Sequence, residues 1–283
     1  MGHKIQQIGD LMNFREALDF TGKVALITGA GGGIGRSTAA AFAQCGAKVM
    51  LMDLERAEEK LKANVEEIRK CFGAEADYVT GDVSDEESVK DFVKKTVDRF
   101  GKIDILHNNA GISMGAITTI DTMTKAQWDK EVSINLTGIF LVAREVATLM
   151  RAQGNGGAII NTASMSGHII NTEPCYSATK AAVIHLTSSL ALEYIRAGIR
   201  INSVSYGGLL SGLHETYMKD PVQLEARYDF LDKNTPMGRL GTLSEAAGPV
   251  LFLASDLASY MTGADIIADG GYVPDGRPKN LAD

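Results

Sequence analysis

The chain has 283 residues, 45% of them hydrophobic and 22% charged, a composition that suits one large globular domain with a sizeable core. A net charge of −7 and a pI of about 5.3 argue against a binder of nucleic-acid backbone, which carries a basic excess. Cys45, Cys71 and Cys175 are too far apart for a disulfide framework or a zinc site, so no metal is expected and a reducing, cytoplasmic setting fits.

Residues 1–20 read as an N-terminal extension, without an apolar run of signal-peptide length. From there strand-like and helix-like patterns alternate as far as residue 273, and 274–283 read as a tail. Strands are expected over 24–28, 48–52, 77–80, 104–107, 158–162, 200–204 and 264–268, several nearly continuous in Val, Ile and Leu as strands covered on both faces are. Helical patterns cover 35–45, 57–71, 86–100, 125–151, 175–197 and 244–254. This alternation predicts a single α/β domain built on a doubly wound parallel sheet. The apolar stretch 134–150 is broken by Arg144 and Glu145, so no membrane span is expected.

The first strand runs into TGAGGGIGRS. Gly29, Gly33 and Gly35 let the backbone turn tightly and approach a pyrophosphate at a helix N-terminus, with Ile34 between the last two. A Walker loop does not fit, because Ala30 stands where it needs glycine and Arg36 where it needs lysine. The second strand ends at Asp53, whose carboxylate can accept both hydroxyls of an adenosine ribose and would repel a 2′-phosphate, which predicts NAD rather than NADP. Asp53 could equally cap the helix that follows.

Further along, the chain carries Asp82-Val83, Asn108-Asn109-Ala110-Gly111, Asn135 in INLTG, Ser164 in NTASMSG, and the pair Tyr176 and Lys180. Helical spacing puts Tyr176 and Lys180 on one face. A free phenol titrates near ~10, too high for a base at neutral pH, and a neighbouring ammonium lowers that value.

In their order and spacing these motifs resemble the short-chain dehydrogenase/reductase family over nearly the whole chain after residue 20. The resemblance implies a Rossmann-like fold and NAD-linked hydride transfer to or from a secondary alcohol. It implies Tyr176 as acid/base, Lys180 as its tuner and holder of the nicotinamide ribose, Ser164 as donor to the substrate oxygen, and Asn135 as holder of a relay water. Asp82 and Val83 would flank adenine, with Asn109, Ala110 and Gly111 along the adenosine side. Gly207, Leu209 and Ser211 would lie near the nicotinamide. It also implies a homotetramer paired through the long helices. The family usually has Pro-Gly after the sixth strand; here Tyr206 stands in the proline position, which would place an aromatic near nicotinamide or substrate.

The region 207–240 breaks the strand–helix alternation and reads as a substrate wall or lid. Ser166, His168, Tyr206 and Leu213, together with Met165, Ile170, Tyr217 and Met218, give a lining that suits a bulky apolar alcohol such as a hydroxysteroid or bile acid. A cyclic alcohol, polyol or sugar dehydrogenase and a keto-acyl reductase are alternatives, and a catalytically silent NAD sensor is the alternative of another class.

Overall fold

The computed structural model describes residues 12–14, 16–115, 120–169, 173–214 and 218–274; Ile170 and Tyr217 lie outside them, with most of the N-terminal extension and the tail. The strands are β1 (Val24–Thr28), β2 (Lys48–Asp53), β3 (Ala76–Thr80), β4 (Ile105–Asn108), β5 (Gly157–Ser164), β6 (Ile199–Tyr206) and β7 (Asp265–Ala268). They form one parallel sheet in the order β3-β2-β1-β4-β5-β6-β7. The direction of winding reverses between β1 and β4. In an open α/β sheet, the crevice beyond the strand ends at that point is where ligands bind.

Alternate residues of the buried strands feed two cores. Ala25, Ile27, Val49, Leu51 and Ile160 face α1 (Gly33–Gln44), α2 (Glu58–Phe72) and a later helix at 243–254. Leu26, Met50, Leu106, Ile159 and Ile201 face α3 (Glu86–Phe100) and two long helices. Strands buried on both faces have no polar side, which is why they read as continuous apolar runs.

The helical run expected over 125–151 is one body in three parts: α4 (Lys125–Val132), a π turn (Ser133–Gly138) and α5 (Ile139–Gln153). By length and composition the run Lys125–Gln153 could cross a membrane, but here Val142, Val146 and Met150 pack on the sheet. The π turn centres on Asn135 and packs against Val83, whose methyl would lie 2.8 Å from a Cβ placed on Gly138. Next comes α6 (Pro174–Tyr194), whose first position is a proline, where the missing N–H is no loss. The 207–240 region contributes α7 (Pro221–Asn234), capped by Asp220, and α8 (Leu243–Ala254) follows with a Thr242/Glu245 capping box.

Tyr206 departs from its sequence expectation. Position 206 continues the inward set of β6 with Val204, so the ring joins the core under α8. It is 5% exposed, and its hydroxyl donates to the Ala246 carbonyl at 2.8 Å. Burial pushes the phenol well above its ordinary value. The residue therefore ties β6 to α8. His168 is engaged within the fold as well. Its Nε2 lies 2.8 Å from Asp265 and 3.1 Å from the Ser205 hydroxyl, which joins the loop after β5 to the edge strand β7.

Tyr206→Phe removes the hydroxyl's hydrogen bond to the Ala246 carbonyl, a contact made in addition to that helix's own ladder. Tyr206→Phe is expected to lower stability by about 1 kcal/mol in equilibrium urea unfolding. An unchanged midpoint would mean that this bond does not tie β6 to α8.

Candidate active site

The glycine loop is shaped by how closely its neighbours approach. Gly33 has φ +50, and a Cβ there would lie 2.6 Å from the Ser211 carbonyl oxygen. A Cβ on Gly35 would lie 2.4 Å from the Gly29 carbonyl oxygen and 2.9 Å from the Asn109 amide nitrogen. Any larger residue at either position would push these segments apart. Gly32, the N-cap of α1, has open space around it; no side chain caps the helix and no acid sits in its first turn. Uncapped N–H groups beside open space suit an anion such as a pyrophosphate, so the loop fits a dinucleotide.

The end of β1 is fastened to the end of β4. The Thr28 hydroxyl accepts from the backbone N–H of Asn109 at 2.9 Å and of Ala110 at 3.0 Å, and the Asn109 amide returns a bond to the Thr28 carbonyl. Asp53, at the end of β2, accepts from the N–H of Gly31 at 2.9 Å and of Leu54 at 2.7 Å, which holds its carboxylate at the rim of the glycine loop. Arg36 pairs with Glu67 on α2. Asp82 caps its own turn by accepting from Ser84, beside the buried Val83.

Lys180 is 2% exposed and donates to the Thr162 carbonyl at 2.9 Å. Its ammonium lies 5.6 Å from the centre of the Tyr176 ring. Burial lowers its pKa to about 8, with the charge of Glu131 pulling the other way. The loop after β4 comes equally close: a Cβ on Gly111 would lie 3.6 Å from the Lys180 nitrogen and 3.3 Å from the Asn135 amide oxygen. Asn135 is fully buried. Its carboxamide accepts from Ile112 N–H and donates to Ile112 C=O, both at 2.8 Å, and so pins the chain leaving β4. Ser164, at the end of β5, accepts from Ser166 N–H at 3.2 Å, which leaves its own proton to donate elsewhere.

Below them, His107 donates through Nε2 to the Thr162 hydroxyl at 3.0 Å, and that hydroxyl donates to Asn109 at 3.3 Å, an assignment made from the network. Burial drives the imidazole down to about 3, so it is neutral.

The structure thus brings Tyr176, Lys180, Asn135 and Gly111 together, with Ser164 at the end of β5, two residues beyond the Thr162 carbonyl that Lys180 meets. The remaining predicted positions divide. Ser211 lies against Gly33, while Gly207 is packed on Asp269, where a Cβ would meet the Asp269 Cα at 2.6 Å. Leu209 is 8% exposed; its side chain belongs to the core and its backbone bridges to Gly241. Ser166 is buried, and Leu213 donates its N–H to Ser211 at 3.4 Å. A cavity lined by Tyr206, Leu209, Thr235, Met237 and Gly270 lies on the α8 side and includes none of Ser164, Tyr176 or Lys180. Sequence reasoning missed Glu131, a buried carboxyl accepting from Met114 N–H at 3.2 Å, and Glu173, which bonds Ser113 at 3.0 Å. Glu173 had a visible signal, since it stands one helical turn before Tyr176. Glu131 had none, because its burial depends on α6 packing over α4.

Residues 29–273 match the family described as enoyl-(acyl carrier protein) reductase. Levodione reductase from Leifsonia aquatica is 42% identical over 89% of this chain and 94% of its own length. A probable NADP-dependent mannitol dehydrogenase from Yarrowia lipolytica (strain CLIB 122 / E 150) is 39% identical over 92% and 91%. Among solved structures, a short-chain type dehydrogenase/reductase from Mycobacterium marinum superposes with a TM-score of 0.85 at 38% identity, covering 91% of this chain and 98% of that one. A match of this extent, over a seven-stranded parallel sheet with the site at its switch point, places the protein in the short-chain dehydrogenase/reductase family, as an oxidoreductase of alcohols and ketones.

Proposed function

We propose an NAD-linked dehydrogenase that interconverts a secondary alcohol and its ketone, with Ser164, Tyr176, Lys180 and Asn135 as its working residues. The observation that carries this is the buried Lys180 ammonium beside the Tyr176 ring, in a site reached by the ends of β4 and β5. A nicotinamide dinucleotide bound in the crevice supplies the hydride acceptor or, in reverse, the donor. Gly29, Gly33, Ile34 and Gly35 would hold its pyrophosphate, Asp53 its adenosine ribose, Asp82, Val83, Asn109, Ala110 and Gly111 its adenosine side, and Gly207, Leu209 and Ser211 its nicotinamide end.

In oxidation Tyr176 takes the proton of the substrate hydroxyl. The Lys180 charge makes the phenolate form accessible, and Ser164 donates a hydrogen bond to the substrate oxygen as its charge changes. Asn135 acts as a positioning residue, holding the segment 111–112 against Lys180. Asp53 supports NAD over NADP, because its carboxylate would meet a 2′-phosphate with like charge and Arg36 is already engaged by Glu67.

For the substrate we favour a compact oxygenated alcohol over a hydroxysteroid or bile acid. Tyr206, an expected wall of the apolar pocket, is turned into the core, and the relatives are named for levodione and mannitol. Residues 207–240 form the substrate wall of this proposal. It also includes a cytoplasmic homotetramer through α4–α5 and α6, where Trp128, Phe140 and Leu192 are exposed apolar side chains. An NAD sensor without turnover is the competing reading.

Absorbance of NADH over a panel of cyclic alcohols, polyols, sugars and hydroxysteroids, with NADP in parallel, tests the proposal. Turnover identifies the enzyme, and dinucleotide binding without turnover across the panel favours the sensor. Tyr176→Phe should lower kcat by roughly 10²- to 10⁴-fold while NADH fluorescence still reports binding. Normal turnover in that variant would overturn the role given to Tyr176. Asp53→Ser should raise the NADP-to-NAD ratio of kcat/KM on the order of tenfold or more.

Lys180 adds a pH signature. Its folded pKa of about 8 is below the ordinary 10.5, so between those values the unfolded chain holds a proton that the folded chain has lost. Stability from this group therefore rises with pH across that window, and below it the buried charge is a burden. Lys180→Met should abolish turnover yet melt higher than the wild type at pH 7. That advantage should shrink as pH rises from 8 to 10.5 in thermal melts.

A further inference from the structure

We propose that His168, through its hydrogen bonds to β6 and β7, is a positioning residue for Ser164, so that the edge of the sheet sets the aim of the hydroxyl that meets the substrate oxygen. The inference rests on the oxidoreductase reading above, with Ser164 as a working residue, and adds a residue on which Ser164 depends.

Ser164 closes β5, and a single 3-10 turn, Met165–Gly167, follows it. The Ser164 hydroxyl accepts from Ser166 N–H at 3.2 Å, so the placement of the turn decides where that hydroxyl can send its own proton. The turn is fastened on two sides. On one, Gly167 presses against α6: a Cβ there would lie 2.9 Å from the Ala181 nitrogen and 3.0 Å from the Lys180 carbonyl carbon. On the other, His168 closes the turn, donating its backbone N–H to Met165 C=O at 2.9 Å, and its side chain reaches the edge of the sheet. The imidazole Nε2 lies 2.8 Å from Asp265 at the start of β7 and 3.1 Å from the Ser205 hydroxyl of β6. A carboxylate only accepts, so Nε2 carries the proton, an assignment made from the network.

The far end of this tie is itself fixed. The Asp265 carboxylate also accepts from the Ser203 hydroxyl at 2.5 Å and the Ser205 hydroxyl at 2.8 Å, both on β6. The backbone ladder already joins β6 to β7 from Ser203–Asp265 to Tyr206–Ala268, so the two serines serve to orient the carboxylate. What the imidazole adds is a link from β7 to a turn 97 residues earlier in the chain. Packing at Gly167 resists approach, whereas a hydrogen bond to an oriented carboxylate fixes both distance and direction. The His168 and Asp265 side chains are 25% and 11% exposed, so water competes weakly for the pair. Loss of the link frees the turn, and Ser166 N–H and the Ser164 hydroxyl move with it. A displacement of about 1 Å in a group aimed at developing charge can cost on the order of a hundredfold in rate.

The test measures single-turnover reduction of NAD, with enzyme in excess over the nucleotide and with whichever of cyclohexanol, mannitol and glucose reacts fastest. It compares wild type with His168→Ala, His168→Leu, His168→Gln, Ser164→Ala and the double variant His168→Ala/Ser164→Ala. His168→Ala and His168→Leu, the second of which keeps the bulk of the side chain, should slow hydride transfer on the order of tenfold to a hundredfold while NADH affinity stays at the wild-type value. His168→Gln, whose amide nitrogen can take the place of Nε2, should recover most of the rate. In the Ser164→Ala background, His168→Ala should add less than about a twofold loss, because the hydroxyl it positions is gone; a general structural defect would multiply with the first. Thermal melts show which variants are folded. A wild-type rate in folded His168→Leu, or a full further loss on top of Ser164→Ala, would overturn the inference and leave the oxidoreductase reading intact. A Ser164→Ala variant as fast as wild type, or wild type that binds NADH yet turns over none of these alcohols with either nucleotide, would sink that reading and this inference with it.

Discussion

The site is organised around one buried ammonium. A lysine at 2% exposure is unfavourable in itself, and the fold offsets part of that by having the Thr162 carbonyl accept a hydrogen bond from it. That contact fixes how α6 meets β5. Ser164 stands two residues beyond Thr162, at the end of the same strand. The Thr162 side chain is tied in turn to His107 and Asn109. The polar chemistry at the top of the sheet thus continues through the central strands instead of resting on mobile loops, as a preorganised site requires.

Close approach is the second constraint. The glycine loop, the segment after β4 and the 207–211 segment converge at the switch point, and Gly33, Gly35 and Gly111 are small because backbone or functional atoms of another segment stand within a few ångströms of where their Cβ atoms would be. Thr28 locks β1 to β4 through two N–H groups, and Asn135 locks the chain beyond β4 to the π turn. A π turn inside a long helix often marks a functional position, and here it sits where Val83, Asn135 and Gly111 meet.

The region after β6 shows how a departure from the family's residue pattern is absorbed. An aromatic in place of proline could have crowded the ligand crevice. Instead Tyr206 follows the alternation of β6 into the core and finds a carbonyl on α8 for its hydroxyl. The insertion it leads into carries α7, whose Arg227 faces Glu173 at the start of α6.

The sequence alone determined the strand–helix order, because a parallel sheet covered on both faces needs apolar runs separated by amphipathic helices. β1 and α3 lie where those patterns placed them, and the other elements shift only at their ends. It also marked the glycine turn, Asp53 and the Tyr176–Lys180 face, since each depends on local geometry: a turn, a strand end, a helical period. Tertiary structure decided the rest. Tyr206 and Leu209 belong to the core, and His168 belongs to β7, because side-chain direction at a strand end depends on which helix packs above it. The π turn, the burial of Glu131 and the meeting of Ser113, Glu173 and Arg227 arise from segments far apart in the chain. No local period encodes such contacts; they exist only once α4, α6 and α7 close over the sheet.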